Sequence, residues 1–171
     1  MILVGLVKRI MTEQDKQLLL KDLCARVLYK PKVKVLHVWN EEKEIEEDIV
    51  DTVYCVLPEG YINTETIDSD IPLNDNVILY LRPMSSMTEK EKKELLNLLF
   101  DKEAKYFYID EEGTIDGKTF DLMKDGLNYP TFCPVNIVLY TDWLNKHYFD
   151  YRGLIGKSLA IVAPEGMYKT E

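Results

Sequence analysis

Apolar residues recur along this chain in two rhythms, and the change between them outlines its elements. Helical spacing comes first: Leu18, Leu19, Leu20, Leu23 and Cys24 follow Thr12, whose hydroxyl is placed to cap a helix with Asp15 three positions on. This predicts a helix from Glu13 to Ala25 or Arg26, with Cys24 on its apolar face. Pro31 then breaks the chain, and Lys32 to Trp39 alternates Val33, Val35, Leu36 and Val38 with Lys and His, the rhythm of a half-buried strand. Asp51 to Leu57 is again strand-like, Pro58-Glu-Gly60 turns, and Tyr61 to Asp70 holds another short strand before the loop Pro72 to Asn76.

Val77 to Leu81 is a short apolar run suited to a buried strand, which Pro83 stops by removing a backbone donor. Thr88 and Glu91 form a second capping box and open a helix from Glu89 to Phe100, with Leu95, Leu96, Leu98 and Leu99 as its apolar face. The two helix starts, Met11 to Leu20 and Met87 to Leu96, look alike, but the segments after them differ. They read as convergent caps rather than a repeat. Lys105 to Ile109, the turn Asp110-Glu-Glu-Gly113 and Thr114-Ile115 suggest a hairpin. A helical turn is predicted over Phe120 to Lys124 and a loop over Leu127 to Pro134. An aromatic helix then runs from Val135 through Tyr140, Trp143, Leu144 and Tyr148 towards Tyr151, until Gly153 loosens it. Leu154 to Ala160 is a last short helix or turn before a frayed tail.

This order of elements defines an α+β protein: a short-stranded, mostly antiparallel sheet or small partly open barrel flanked by helices. The 171 residues suit one domain, or two packed subdomains at 11–100 and 101–171. The opening ten residues are apolar but too short to span a bilayer, and their charges follow the apolar run. They read as an extension upstream of the natural start or as a short added strand, with no membrane association.

Charge and chemistry narrow the reading further. A net charge of −9 argues against nonspecific nucleic-acid binding, which needs clustered Lys and Arg. Three widely spaced cysteines, Cys24, Cys55 and Cys133, give neither a disulfide framework nor a zinc pattern, and fit a reducing cytoplasm. Cys24 and Cys55 read as small core residues. Glu41 to Asp51 carries seven acids against Lys43 alone, which reads as a solvated turn or the exposed face of a hairpin. Ser85 and Ser86 precede a helix start near Arg82, where an anion could be held, but ordinary capping is far the commoner reason for such a pattern.

The densest polar-aromatic cluster is Asp142 to Arg152. Trp143, His147, Tyr151, Arg152, Asp142 and Asp150 are its candidate binding residues. A catalytic version would make His147 a general base oriented by Asp142 or Asp150, in a small hydrolase or metal-dependent enzyme. Neither a nucleophile nor a second histidine at ligand spacing accompanies it, so His147 reads as a surface or satisfied histidine. No catalytic residue, metal or cofactor is assigned. The favoured reading is a noncatalytic protein that binds another protein through aromatic and acidic surface, with a homo-oligomer as a further arrangement of the same aromatics.

Three segments and the tail also carry a resemblance. Leu18-Leu-Leu-Lys-Asp-Leu-Cys-Ala-Arg26, Leu81-Arg-Pro-Met-Ser-Ser-Met-Thr-Glu89, Asp142-Trp-Leu-Asn-Lys-His-Tyr-Phe-Asp-Tyr-Arg-Gly-Leu-Ile155 and Ala163-Pro-Glu-Gly-Met-Tyr168 resemble a phage- and prophage-associated family of gut bacteroidetes. The resemblance implies a bacterial cytoplasmic setting and an accessory role, and supplies no catalytic residues. The acidic stretch Glu41 to Asp51 and the loop Pro130 to Pro134 depart from the family pattern.

Overall fold

The computed structural model describes residues 10–41, 43–117 and 137–168, except the side chains of 101–103. Among these residues are three α-helices: α1 (Glu13–Arg26), α2 (Glu89–Phe100) and α3 (Ile137–Lys146). Eight strands accompany them: β1 (Lys32–Asn40), β2 (Ile45–Leu57), β3 (Tyr61–Thr64), β4 (Ile71–Pro72), β5 (Val77–Leu81), β6 (Phe107–Ile109), β7 (Ile115–Gly117) and β8 (Ala160–Val162). The protein is α+β, with an open sheet rather than a closed barrel. The chain divides into two compact units, one of residues 1–80 with 156–161, the other of residues 81–155 with 162–171.

The first unit begins where sequence placed it. Thr12 Oγ1 accepts the Asp15 N–H at 3.1 Å while Asp15 Oδ2 accepts the Thr12 N–H at 3.2 Å, so the capping box closes from both sides. The inward stripe of α1 is Asp15, Leu19, Asp22, Leu23 and Arg26. Cys24 lies off this stripe and is exposed, contrary to the core position expected of it. Asp22 and Arg26, one helical turn apart, join through two contacts of 2.6 and 3.1 Å, both side chains fully buried. Each neutralises the other where water is absent.

The six-stranded sheet has the order β4-β3-β2-β1-β5-β8. Its first four neighbour pairs are antiparallel. Val33, Val35, Val77 and Leu79 meet in register on one face and are buried. At the other edge, the Leu79 N–H donates to Leu159 O and the Ala163 N–H to Leu81 O, an advance in the same sense that makes β8 parallel to β5. Residues 154–158 form the turn expected there, and β8, which follows it, was not expected. The tight turn after β2 ends at Gly60, whose φ of +86° is in the left-handed region; a Cβ there would come within 2.6 Å of Lys16 Cε.

The β1–β2 hairpin is longer than the sheet that supports it. β5 pairs only with Val33 to Val35, whereas β2 continues the pairing out to Asn40. Between Val35 and Val38 the register shifts, with His37 at φ +58°, and beyond this bulge the two strands continue as a two-stranded arm.

The second unit is built around Leu95, Leu96 and Phe100 of α2, Phe107 and Ile109 of β6, and Trp143 and Leu144 of α3, closed by Phe149. Phe100 and Phe107 stack at 3.9 Å. α2 spans the residues expected of it, but Leu98 turns outward and is 45% exposed, because the buried stripe follows Glu91, Leu95, Leu96 and Phe100. The β6–β7 hairpin is antiparallel, with Ile109 opposite Ile115. α3 ends at Lys146, earlier than the expected run towards Tyr151: Tyr148 takes φ +62°, which no α-helix continues through. Phe149 instead bridges Arg82, with the Arg82 N–H donating to Tyr148 O and the Asp150 N–H to Arg82 O, both at 2.8 Å. The expected turn over Phe120 to Lys124, the loop to Pro134, Cys133 and Met1 to Arg9 lie outside the described residues.

Candidate functional site

In the second unit, the last turn of α3 sets Trp143 and His147 on one side, where their rings stack at 4.0 Å and 16°. Trp143 also stacks on Phe149 at 5.8 Å, and its indole N–H donates to Glu94 Oε1 at 2.9 Å. Glu91 lies one turn before Glu94 on α2. Its carboxylate accepts the Thr88 N–H and hydroxyl at 2.9 and 2.8 Å and two Arg82 N–H groups at 2.7 and 3.0 Å. Arg82 in turn lies over the Phe149 ring at 4.3 Å. Burial works to raise the Glu91 pKa, but Arg82 and Thr88 together outweigh it and hold the carboxyl at about 2.

His147 is the odd member of this cluster. Its side chain is only 12% exposed, with Nδ1 3.9 Å from Glu91 Oε1 and Nε2 3.8 Å from Glu94 Oε1. Both distances exceed a hydrogen bond, and neither ring nitrogen meets a hydrogen-bond partner among the described residues. The satisfied or surface histidine expected from sequence is therefore replaced by a part-buried one whose ring nitrogens are shielded and unsatisfied among the described residues. Burial pushes its pKa down, the nearby carboxylates of Glu94 and Glu91 push it up, Lys146 and Arg82 push it down, and the net direction is downward. Its surroundings on balance disfavour the protonated ring.

The structure gathers only part of the sequence-predicted set around this ring. Trp143 and His147 come together, but the carboxylates against His147 are Glu91 and Glu94. Asp142 is exposed on α3. Asp150 is committed to backbone: its two oxygens accept the N–H groups of Leu154 and Ile155 at 2.8 Å each. Tyr151 and Arg152 are half-buried, with the guanidinium 4.6 Å over the phenol ring. Arg82, at the proposed anion position before α2, is engaged by Glu91 and by Ser86 O. Sequence reasoning missed Glu94 and Arg82 as members of the cluster, and met Glu91 only as a helix cap.

The first unit presents a different kind of surface. On the arm beyond the His37 bulge, Trp39 faces Glu46 across the strands and Asn40 faces Ile45. Trp39 is 58% exposed and Ile45 48% exposed, among the exposed carboxylates of Glu41, Glu44, Glu46 and Asp48. The arm is braced from within: Asn40 and Lys43 bind Glu47 at 2.5 and 2.9 Å, and Lys34 binds Asp48 at 2.8 Å. The Asn40 amide and the Lys43 ammonium hold the Glu47 carboxyl below its ordinary value, and the Lys34 hydrogen bond does the same for Asp48. The acidic run expected to be a turn or hairpin face is thus the tip and outer strand of a hairpin, and Trp39, missed as a site residue, stands within it. An exposed indole on a carboxylate-rich hairpin is equipped to bind.

No family model, curated protein or solved structure matches this chain. No helix among the described residues is long and apolar enough to cross a membrane.

Proposed function

We propose that the chain is a noncatalytic, phage- or prophage-associated accessory protein that binds another protein through the β1–β2 arm. The observation that carries this is Trp39, 58% exposed on a braced hairpin, opposite Glu46 and on an arm whose tip and second strand carry exposed carboxylates. Tryptophan left in water is unusual for its apolar area, and it is among the residue types that dominate binding energy at protein interfaces. The carboxylates select the partner's chemistry: a basic segment with an apolar slot for the indole.

The test is affinity capture from a bacteroidete host lysate with nuclease present, comparing the protein with Trp39→Ala and reading by mass spectrometry. A stoichiometric protein that carries a basic segment, and whose recovery falls about tenfold or more with the variant, supports the reading. A partner held equally by Trp39→Ala, or one that vanishes with nuclease, refutes it.

A further inference from the structure

The ladder between β2 and β3 ends early. Val53 opposite Thr64 is its last pair in register, and the Glu65 N–H then donates to Thr52 O at 3.0 Å. The Thr66 N–H and hydroxyl go to the Asp51 carboxylate instead, at 2.9 and 2.7 Å. β4 lies on the far side of β3. From Ile45 to Val50, therefore, β2 pairs with β1 alone among the described residues.

The ladder also fixes which backbone groups face outward. The Val53 N–H points to β1, where it donates to Pro31 O at 2.9 Å, and Thr52 O points the other way, to β3. A strand alternates, so Val50, Asp48 and Glu46 turn their N–H and C=O groups away from β1, while Ile49, Glu47 and Ile45 turn theirs towards it. An edge of this length, equal to an ordinary strand, is a template for another chain.

Side chains decide what that chain must be. Glu46, Asp48 and Val50 project from the same face as Trp39, which stands opposite Glu46. Lys34 meets Asp48 at 2.8 Å and His37 approaches Glu46 at 3.4 Å, yet the two carboxylates keep 43% and 62% of their side-chain surface exposed. Glu46, Glu47 and Asp48 follow one another with no base in the stretch. A second copy of this edge would set carboxylates against carboxylates, which cross-strand pairing disfavours. A basic strand meets opposite charges.

We propose that the partner's basic segment docks as an added β-strand along Ile45 to Val50, its main chain bonded to Glu46, Asp48 and Val50, an inference that rests on the arm being the binding surface. Main-chain bonds then supply affinity, and alternate basic side chains beside Glu46 and Asp48 supply selectivity. The added strand stands two strand spacings, about 10 Å, from β1. A long side chain beside Glu46 crosses that distance and forms one wall of the slot for the Trp39 indole, with its cation over the ring.

The probe is a blocked peptide that alternates arginine with threonine over the length of the edge, added to the full chain while amide hydrogen exchange is followed by NMR. At saturation, exchange at Glu46, Asp48 and Val50 should slow about tenfold or more, with Ile45, Glu47 and Ile49 little changed. Of two peptides N-methylated at alternate positions, the one whose methyl groups face β2 should bind about tenfold weaker, and the other as well as the parent. Binding that leaves the three outward amides unprotected, equal weakening by both methylated forms, or no saturable binding would each overturn the added strand. Protection of the same amides without peptide, growing with protein concentration, would make a second copy the occupant and overturn it too. Trp39→Ala separates this inference from the reading of the arm. Weaker binding with the amides unprotected leaves the arm as the interface and removes the strand, whereas protected amides at unchanged affinity keep the strand and refute the indole as anchor.

Discussion

Glu91 and His147 show how one cluster places two titratable groups in opposite circumstances. Glu91 is buried with four donors, and its pKa of about 2 is below the ordinary 4.5. A carboxyl depressed on folding adds stability that is complete above the unfolded value and disappears as pH falls through the folded one, so this contribution, about 3 kcal/mol, erodes from pH 4.5 to about 2. His147 is part-buried with no hydrogen-bond partner among the described residues, and its pKa is lowered from 6.5. The unfolded chain therefore takes up this proton more readily, so stability is complete above pH 6.5 and declines as pH falls below it, before Glu91 begins to protonate. Urea unfolding at a series of pH values should show both declines in order, and His147→Gln should remove the upper one while leaving the lower. A profile unchanged by His147→Gln would mean that the ring titrates alike folded and unfolded. At this scale the sequence was legible where partners are local: both Thr caps stand three residues from their acids. It was illegible for His147, because the carboxylates against it, Glu91 and Glu94, come from α2 and nothing in its own segment names them.

Elements were legible to the extent that local rules controlled their ends. α1 and α2 begin at capping boxes, and β5 stops before a proline, so their ranges were predictable. The end of α3 was not, since Tyr148 leaves the helix to place Phe149 beside Arg82, a tertiary demand that overrides a continuing apolar pattern. β8 was hidden for a similar reason: three residues of strand at a sheet edge carry too little periodicity to be recognised. The Pro58 to Gly60 turn was readable, and its chemistry makes a prediction. Gly60 sits at φ +86° with Lys16 against the space a methyl would take. Gly60→Ala should destabilise the protein by about 1 kcal/mol, chiefly through backbone strain, since the lysine tip can move aside. The measurement is the midpoint of urea unfolding. A midpoint equal to or above that of the parent would show that the turn relaxes to accept a side chain, and that the glycine is not required there.

Across the whole molecule the charge of −9 is distributed unevenly, with exposed carboxylates gathered on the β1–β2 arm. Composition made the sign legible, but a sum over 51 charged side chains, 21 basic and 30 acidic, does not say that the arm is where the carboxylates gather. The α+β class was likewise legible from the order of elements, whereas the choice between barrel and open sheet depended on strand pairings that no local pattern encodes. The acidic arm then divides the kinetics of partner binding. Carboxylates around an anchor act at a distance and guide encounter, while the anchor itself acts only after docking. Replacing Glu41, Glu44 and Glu46 together by Gln should lower the association rate about tenfold at low salt and flatten its dependence on ionic strength, with dissociation little changed. Trp39→Ala should do the reverse, speeding dissociation while leaving the salt dependence of association in place. Surface-plasmon measurements with the captured partner at several ionic strengths distinguish the two effects. If the Gln variant changes dissociation alone, the carboxylates are contacts rather than a steering field. If Trp39→Ala changes association alone, the indole is not the anchor and the arm binds by charge without it.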